Sequence, residues 1–174
     1  RYLGLLLFLL GGVFGNLQAQ CTFAELYEVL EYGDQGVYCP PITTVSGNIT
    51  DSDPAFTRCG SSGDFYYETF TFRVDITDVY TFDMPNIGPP TGGVVFFFAL
   101  YSGALNAAFP CISLLEEDDD DGSGNEPRIS RALTPGVYTM VTTTFGSEDE
   151  DGAYSYNISS VGDGQVFTCN TANP

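Results

Sequence analysis

From Ile42 onward the chain alternates short apolar–polar segments with clusters of Gly, Pro, Asp and Asn, the pattern of strands separated by turns. Tyr66, Phe70, Phe72 and Val74 alternate with Tyr67, Thr69, Thr71 and Arg73, which predicts a half-buried strand, because side chains two apart share a face. Tyr80, Phe82 and Met84 repeat the pattern up to Pro85. Val94 to Tyr101 is an unbroken apolar run that suits a central strand covered on both faces and would invite aggregation if left bare. Ile129 to Leu133, Val137 to Phe145 and Tyr154 to Ile158 predict three more strands, with Thr134-Pro135-Gly136 turning the chain into the middle one. The spacing is that of an all-β sandwich of antiparallel strands. Residues 20–41 read as an N-terminal arm: Phe23, Leu26, Tyr27 and Leu30 have helical spacing, and Pro40-Pro41 closes the segment.

Ahead of the arm, Arg1 precedes the apolar run Leu3 to Phe14, and Gly15-Asn16-Leu17-Gln18-Ala19 follows. A basic start, a short apolar stretch and a small residue before a polar one predict a secretory signal peptide over 1–19, hence a secreted, extracellular protein. The run is shorter than the ~20 residues that cross a bilayer. No small residue sits directly before Cys21, as a lipoprotein signal requires, and the glutamate of a pilin leader is missing. The division expected is therefore signal peptide 1–19, arm 20–41 and sandwich domain 42–174. Removing residues 1–19 takes one arginine and leaves a net charge of −19. So acidic a body repels nucleic acid and anionic membranes and attracts cations; no membrane insertion of the mature chain is expected.

Composition then narrows the chemistry. The 174 residues include no histidine, lysine or tryptophan; the basic side chains are Arg1, Arg58, Arg73, Arg128 and Arg131. Imidazole-dependent nucleophiles, lysine Schiff bases, phosphate-cradling loops and His-containing zinc sites are all excluded. The five cysteines, Cys21, Cys39, Cys59, Cys111 and Cys169, contain no CxxC pair and read as two disulfides and one leftover thiol, their pairing open.

The acidic residues are focused. Glu116, Glu117, Asp118, Asp119, Asp120, Asp121 and Glu126 form one cluster, and Glu148, Asp149, Glu150 and Asp151 a second. Six like charges in a row repel unless a cation sits among them, and calcium takes six to eight such oxygens. The candidate ligands are Asp118, Asp119, Asp120, Asp121, Asn125 and Glu126; the alternative is a solvated turn with no fixed ion. Gly122 matches the turn glycine of an EF-hand, but Glu117 and Arg128 occupy its first and last ligand positions, so the segment is not one. A glycosidase needs two carboxyls at a fixed separation in a cleft, which adjacent acids on a turn do not provide. Asn48-Ile49-Thr50 and Asn157-Ile158-Ser159 match the N-glycosylation sequon.

The series "GNITDSDPAFTR", "YYETFTFRV", "VYTF", "FALYSG", "LLEEDDDDGSGN", "ALTPGVYTMVTTTF" and "GAYSYNIS" resembles, in order, the pre-peptidase C-terminal-like domains over about residues 46–160. The resemblance implies a jelly-roll-like β-sandwich of about eight antiparallel strands. It also implies a module that elsewhere accompanies larger secreted enzymes or adhesins. This chain departs from the pattern at Val95-Phe96, where relatives carry Asp-Thr. The function expected is a non-enzymatic structural subunit that self-assembles into a fibre or surface layer with cation assistance, the arm being suited to exchange between neighbours. The rival readings are a calcium-stabilised glycan- or surface-binding module and a hydrolase using acidic residues alone.

Overall fold

The structure, a computed structural model, describes residues 40–85, 94–146 and 151–168. The predicted helix of the arm, the signal segment, the acids at 148–150 and the cysteines at 21, 39 and 169 lie outside the described residues. Ten strands run in chain order: β1 (Thr44–Ile49), β2 (Ala55–Thr57), β3 (Asp64–Val74), β4 (Asp78–Asp83), β5 (Phe96–Ser102), β6 (Leu114–Asp118), β7 (Arg128–Leu133), β8 (Gly136–Thr144), β9 (Gly152–Ser160) and β10 (Val166–Phe167). There is no helix among the described residues.

The antiparallel pairings are nested. β5 pairs with β6, β4 with β7, β3 with β8 and β1 with β9, so the chain forms one long hairpin, each pair enclosing the next. Contacts of β4 with β9 and of β5 with β8 roll this hairpin into two sheets, ordered β1-β9-β4-β7 and β10-β3-β8-β5-β6. That is a jelly roll of eight strands. The short β2 and β10 add to the outer edge of β3, beside its two ends. The six strands foreseen from alternation all form. β1, β2, β6 and β10 are additions: β6 carries Glu116 and Glu117 and takes in Asp118, the first residue of the acidic turn Asp118 to Asp121, on a sheet edge where charged side chains remain solvated.

Alternation places Phe72 and Val74 of β3, Phe98 and Leu100 of β5, Met140 of β8, Tyr80 and Phe82 of β4 and Tyr156 of β9 between the sheets, all nearly inaccessible to water. The rings interlock edge-on or tilted, as Phe98 with Tyr156 at 4.9 Å and Phe72 with Phe82 at 5.1 Å.

β5 and β8 are buried on both faces, so a second apolar layer is needed outside the sheet that contains them. Phe97, Ala99 and Tyr101 of β5 and Val141 of β8 point outward, under Phe56 of β2 and Leu105 of the β5–β6 connection. The Cys59–Cys111 disulfide joins the two segments that form this cover, and thus assigns one bridge the sequence left open. Beside it the Arg58 guanidinium stacks 3.9 Å from the Phe65 ring centre and 4.2 Å from that of Phe97, and donates to the Phe145 carbonyl at 3.1 Å.

At the opposite end of the roll Asp78 organises the β9–β10 connection. Its Oδ2 accepts from the Gly162 N–H (2.9 Å) and the Gly164 N–H (3.1 Å), and its Oδ1 from the Val79 N–H (2.8 Å). Desolvation would raise this carboxyl, yet the bonds from Gly164, Val79 and Gly162 outweigh it and hold Asp78 below the ordinary carboxylate range.

Both anchors can be tested by substitution. Replacing both Cys59 and Cys111 by Ser, which opens a loop of 52-residue separation, is expected to cost about 2–4 kcal/mol in urea denaturation; an unchanged midpoint would mean the outer layer holds without the cross-link. Because the Asp78 carboxyl is depressed in the folded state, its contribution is present above the unfolded value of about 4 and is lost as pH falls through the folded one. Asp78→Asn should therefore lower stability at neutral pH and flatten its decline below about pH 4 relative to wild type, as read by urea titration at each pH.

Candidate functional site

A jelly roll has two open sides, where the edge strands of its two sheets face each other. Here they differ. On the β6/β7 side, Arg131 of β7 reaches across and donates from Nη1 to the Leu115 carbonyl (2.8 Å) and to Glu116 Oε2 (3.0 Å), clamping the sheets together. On the β1/β3 side there is a groove of about 660 Å³, lined among others by Ser46, Asp53, Tyr67, Glu68, Thr69 and Thr139.

The backbone of β3 forms the floor of that groove. β2 partners this edge as far as Tyr66 and β10 from Arg73 onward. Between them, from Tyr67 to Phe72, no strand lies alongside among the described residues. The Tyr67 N–H donates outward to the Pro54 carbonyl at 3.0 Å. By the alternation of an antiparallel strand, the N–H and C=O of Thr69 and Thr71 therefore point to the same outer edge, away from β8. Their side chains, with Thr139 bonded to Thr71 (Oγ1 to Oγ1, 3.2 Å), lay a row of hydroxyls along the outer lip.

The inner lip is acidic and phenolic. Glu68 shares the inward parity of Phe70 and Phe72, and its Oε2 accepts from the Tyr154 hydroxyl at 2.7 Å. Burial pushes the Tyr154 phenol well up, and the bond to Glu68 and its charge add to this; Tyr156 is raised by burial first and then by Tyr154. The Tyr156 hydroxyl lies beside Thr142, out of hydrogen-bond geometry, and is buried without a partner. Gly47 of β1 makes room for the carboxylate: a Cβ there would collide with Glu68 Oε2 and with the Tyr154 hydroxyl.

The acidic turn lies elsewhere, between β6 and β7. Asp118 Oδ2 accepts from the Arg128 N–H (2.7 Å) and the Asp121 N–H (3.2 Å), while Gly122 N–H donates to the Glu126 carbonyl (2.8 Å). Asn125 takes a left-handed conformation at φ 64°, one that Asn tolerates better than most residues. One carboxylate oxygen from each of Asp118, Asp120 and Asp121 falls within 4.8 Å of the others. Asp119 and Glu126 stand outside this group of carboxylates. Glu117 and Asp119 sit in the field of Arg58; burial raises both, and for Asp119 the charges of Asp120 and Asp118 raise it further. The three clustered acids are solvated, and Asp118 already serves the turn. Asp151 is exposed.

The sequon asparagines Asn48 and Asn157 both lie exposed on the outer face of the β1-β9-β4-β7 sheet. That face is nearly uncharged. Its outward positions include Thr44, Ser46, Ser155 and Ser159, and its charged side chains are Asp83 and Arg128, paired at 3.7 Å.

No protein-family model matches the chain, and no curated protein matches its sequence. The groove residues were not singled out from sequence as a site. A signal for them exists: Glu68 interrupts the apolar face of the β3 alternation, and Thr69 and Thr71 are a polar row opposite it. Gly47→Ala is expected to dislodge Glu68 and to cost about 1–3 kcal/mol. The penalty should shrink in a Glu68→Ala background, a coupling that a double-mutant cycle by urea denaturation measures directly.

Proposed function

We propose that this protein is a secreted, non-enzymatic structural subunit of the pre-peptidase C-terminal-like kind, which self-assembles by strand addition with the help of cations. The observation that carries the reading is the unpartnered edge of β3 at Thr69 and Thr71, set in a groove between β2 and β10 among the described residues. An edge with aligned donors and acceptors accepts an added strand, and main-chain bonds supply the affinity whatever the side chains. The occupant proposed is the N-terminal arm, residues 20–38, of a second copy. Cys59–Cys111 suits an oxidising compartment, and no helix among the described residues is long and apolar enough to cross a membrane. The chain has no histidine or lysine to serve as base or nucleophile. With a net charge of −18, copies approach only where charge is absent or screened. The nearly uncharged outer face of the β1 sheet, where Asp83 and Arg128 pair, and calcium held near Asp118, Asp120 and Asp121 are the two means of relief proposed.

The groove's hydroxyls and its two carboxylates, Asp53 and Glu68, favour one alternative, a glycan-binding module that uses the same site. Electron microscopy of the mature protein with calcium, then with chelator, separates the two. Regular filaments that disperse on chelation support assembly; monomers under both conditions overturn it and turn attention to glycan arrays. Thr69→Pro removes an outward N–H while sparing the bonds to β8. The variant is expected to keep its far-UV circular dichroism and to lose filaments, and filaments that survive it would exclude this edge as the contact.

A further inference from the structure

Arg73 stands at the β10 end of the open β3 edge and differs from the other described arginines in its partners. Arg58 donates to the Phe145 carbonyl in the field of Glu117 and Asp119, Arg128 pairs with Asp83, and Arg131 with Glu116. Arg73 lies between Val137 of β8 and Phe167 of β10, its guanidinium 4.8 Å from the Phe167 ring centre. Among the described residues it has no ion pair, and its buried Nε has no hydrogen-bond partner. Asp75, the acid two residues on, accepts from the Gln165 N–H instead (3.1 Å). In a chain of 23 acidic residues a guanidinium without a carboxylate is not explained by scarcity. Stacking on the ring offsets part of the desolvation and fixes the plane of the fork, which suits it to a planar carboxylate.

Parity along β3 puts Arg73 on the face that carries Thr69 and Thr71, with Thr139 of β8 beside them. Glu68 is on the opposite face, bonded to Tyr154. A strand added at Thr69 and Thr71 sends alternate side chains to these two faces. On one they meet a carboxylate. On the other they meet hydroxyls, and the diagonal from the residue opposite Thr71 leads to the long side chain of Arg73. We infer that Arg73 is a carboxylate-binding site of this edge, which receives an Asp or Glu side chain of the incoming strand and so selects its register.

The inference rests on the assembly reading and deepens it. The occupant proposed there, residues 20–38 of a second copy, carries Glu25, Glu28, Glu31 and Asp34 and no basic residue. Those acids are repelled by Asp53 and Glu68 in the groove, and Arg73 is the cation beside its hydroxyl lip. Length makes a selector necessary. Extended, residues 20–38 span about 60 Å, whereas the edge from Tyr67 to Arg73 is about 20 Å long. Many registers therefore make the same main-chain bonds. A slip by two residues keeps each side chain on its face but takes the carboxylate away from Arg73.

The test uses two fluorescein-labelled peptides of residues 20–38, both with Cys21→Ser, one of them with Glu25, Glu28, Glu31 and Asp34 replaced by Gln and Asn. Each is titrated with dilute mature protein at low salt and with chelator, and binding is read by fluorescence anisotropy. Wild type is expected to bind the acidic peptide about tenfold more tightly than Arg73→Gln does. Added salt should narrow that gap, and Arg73→Lys should recover part of it. The amide peptide should bind wild type and Arg73→Gln equally, which also shows that the variant is folded. Equal binding of the acidic peptide by wild type and Arg73→Gln overturns the carboxylate site and leaves strand addition standing. Loss of both peptides alike in Arg73→Gln overturns it too, since the residue would then act on the fold and not on charge. Failure of wild type to bind either peptide overturns the strand-addition reading and this site with it.

Discussion

The structure depends on burying β5 and β8 from both sides. Their inward faces pack against the opposite sheet, and their outward faces carry Phe97, Tyr101 and Val141. Water against that outward face would forfeit the burial of three large side chains, each contributing about 1.5–3 kcal/mol. The cover is a strand of three residues, β2, together with a connection that has no regular structure, and neither can stand alone. A disulfide and a guanidinium laid over two phenylalanines hold this thin layer down. The position of Arg58 next to Cys59 is therefore no accident of sequence: the same few residues deliver the cross-link and the stacked cation.

The two open sides of the roll show how a sandwich is closed in one place and left open in another. Arg131 spans the gap on the β6/β7 side with bonds to a carbonyl and a carboxylate. On the β1/β3 side a glycine, Gly47, stands where a side chain would fill the gap, and a glutamate and a tyrosine occupy the space instead. Keeping a polar pair at the rim of a core is costly unless each group is bonded. Glu68 and Tyr154 satisfy one another, and the groove remains.

Charge gives the molecule its second constraint. Each arginine among the described residues is engaged within the fold: Arg58 and Arg73 over aromatic rings, Arg128 with Asp83, Arg131 with Glu116. In the β6–β7 turn Asp118 receives two backbone N–H groups, and Glu117 and Asp119 lie in the field of Arg58. Relief of the remaining repulsion must come from salt or bound cations in the medium, so ionic conditions bear on any contact this protein makes.

The alternation of apolar residues was enough to determine the all-β class, six of the strands and which face of each turns inward, because burial follows the two-residue period of a strand wherever one face meets a core. It also showed, in the unbroken run at Val94 to Tyr101, that one strand would need cover on both faces. Only the tertiary structure decided what supplies that cover. The Cys59–Cys111 pairing, the stacking of Arg58 and the packing of Leu105 unite residues about 50 positions apart, and local pattern holds no record of such distances. The acidic run was legible as a cluster, but its division was not. Glu117 and Asp118 are successive residues of β6 and take opposite faces, Glu117 with Asp119 in the field of Arg58. The turn beyond the strand folds Asp121 back to donate its N–H to Asp118 and brings Asp120 and Asp121 beside it. The groove at Thr69 exists because β2 and β10 stop short of one another along β3, and strand ends are set by what packs beyond them.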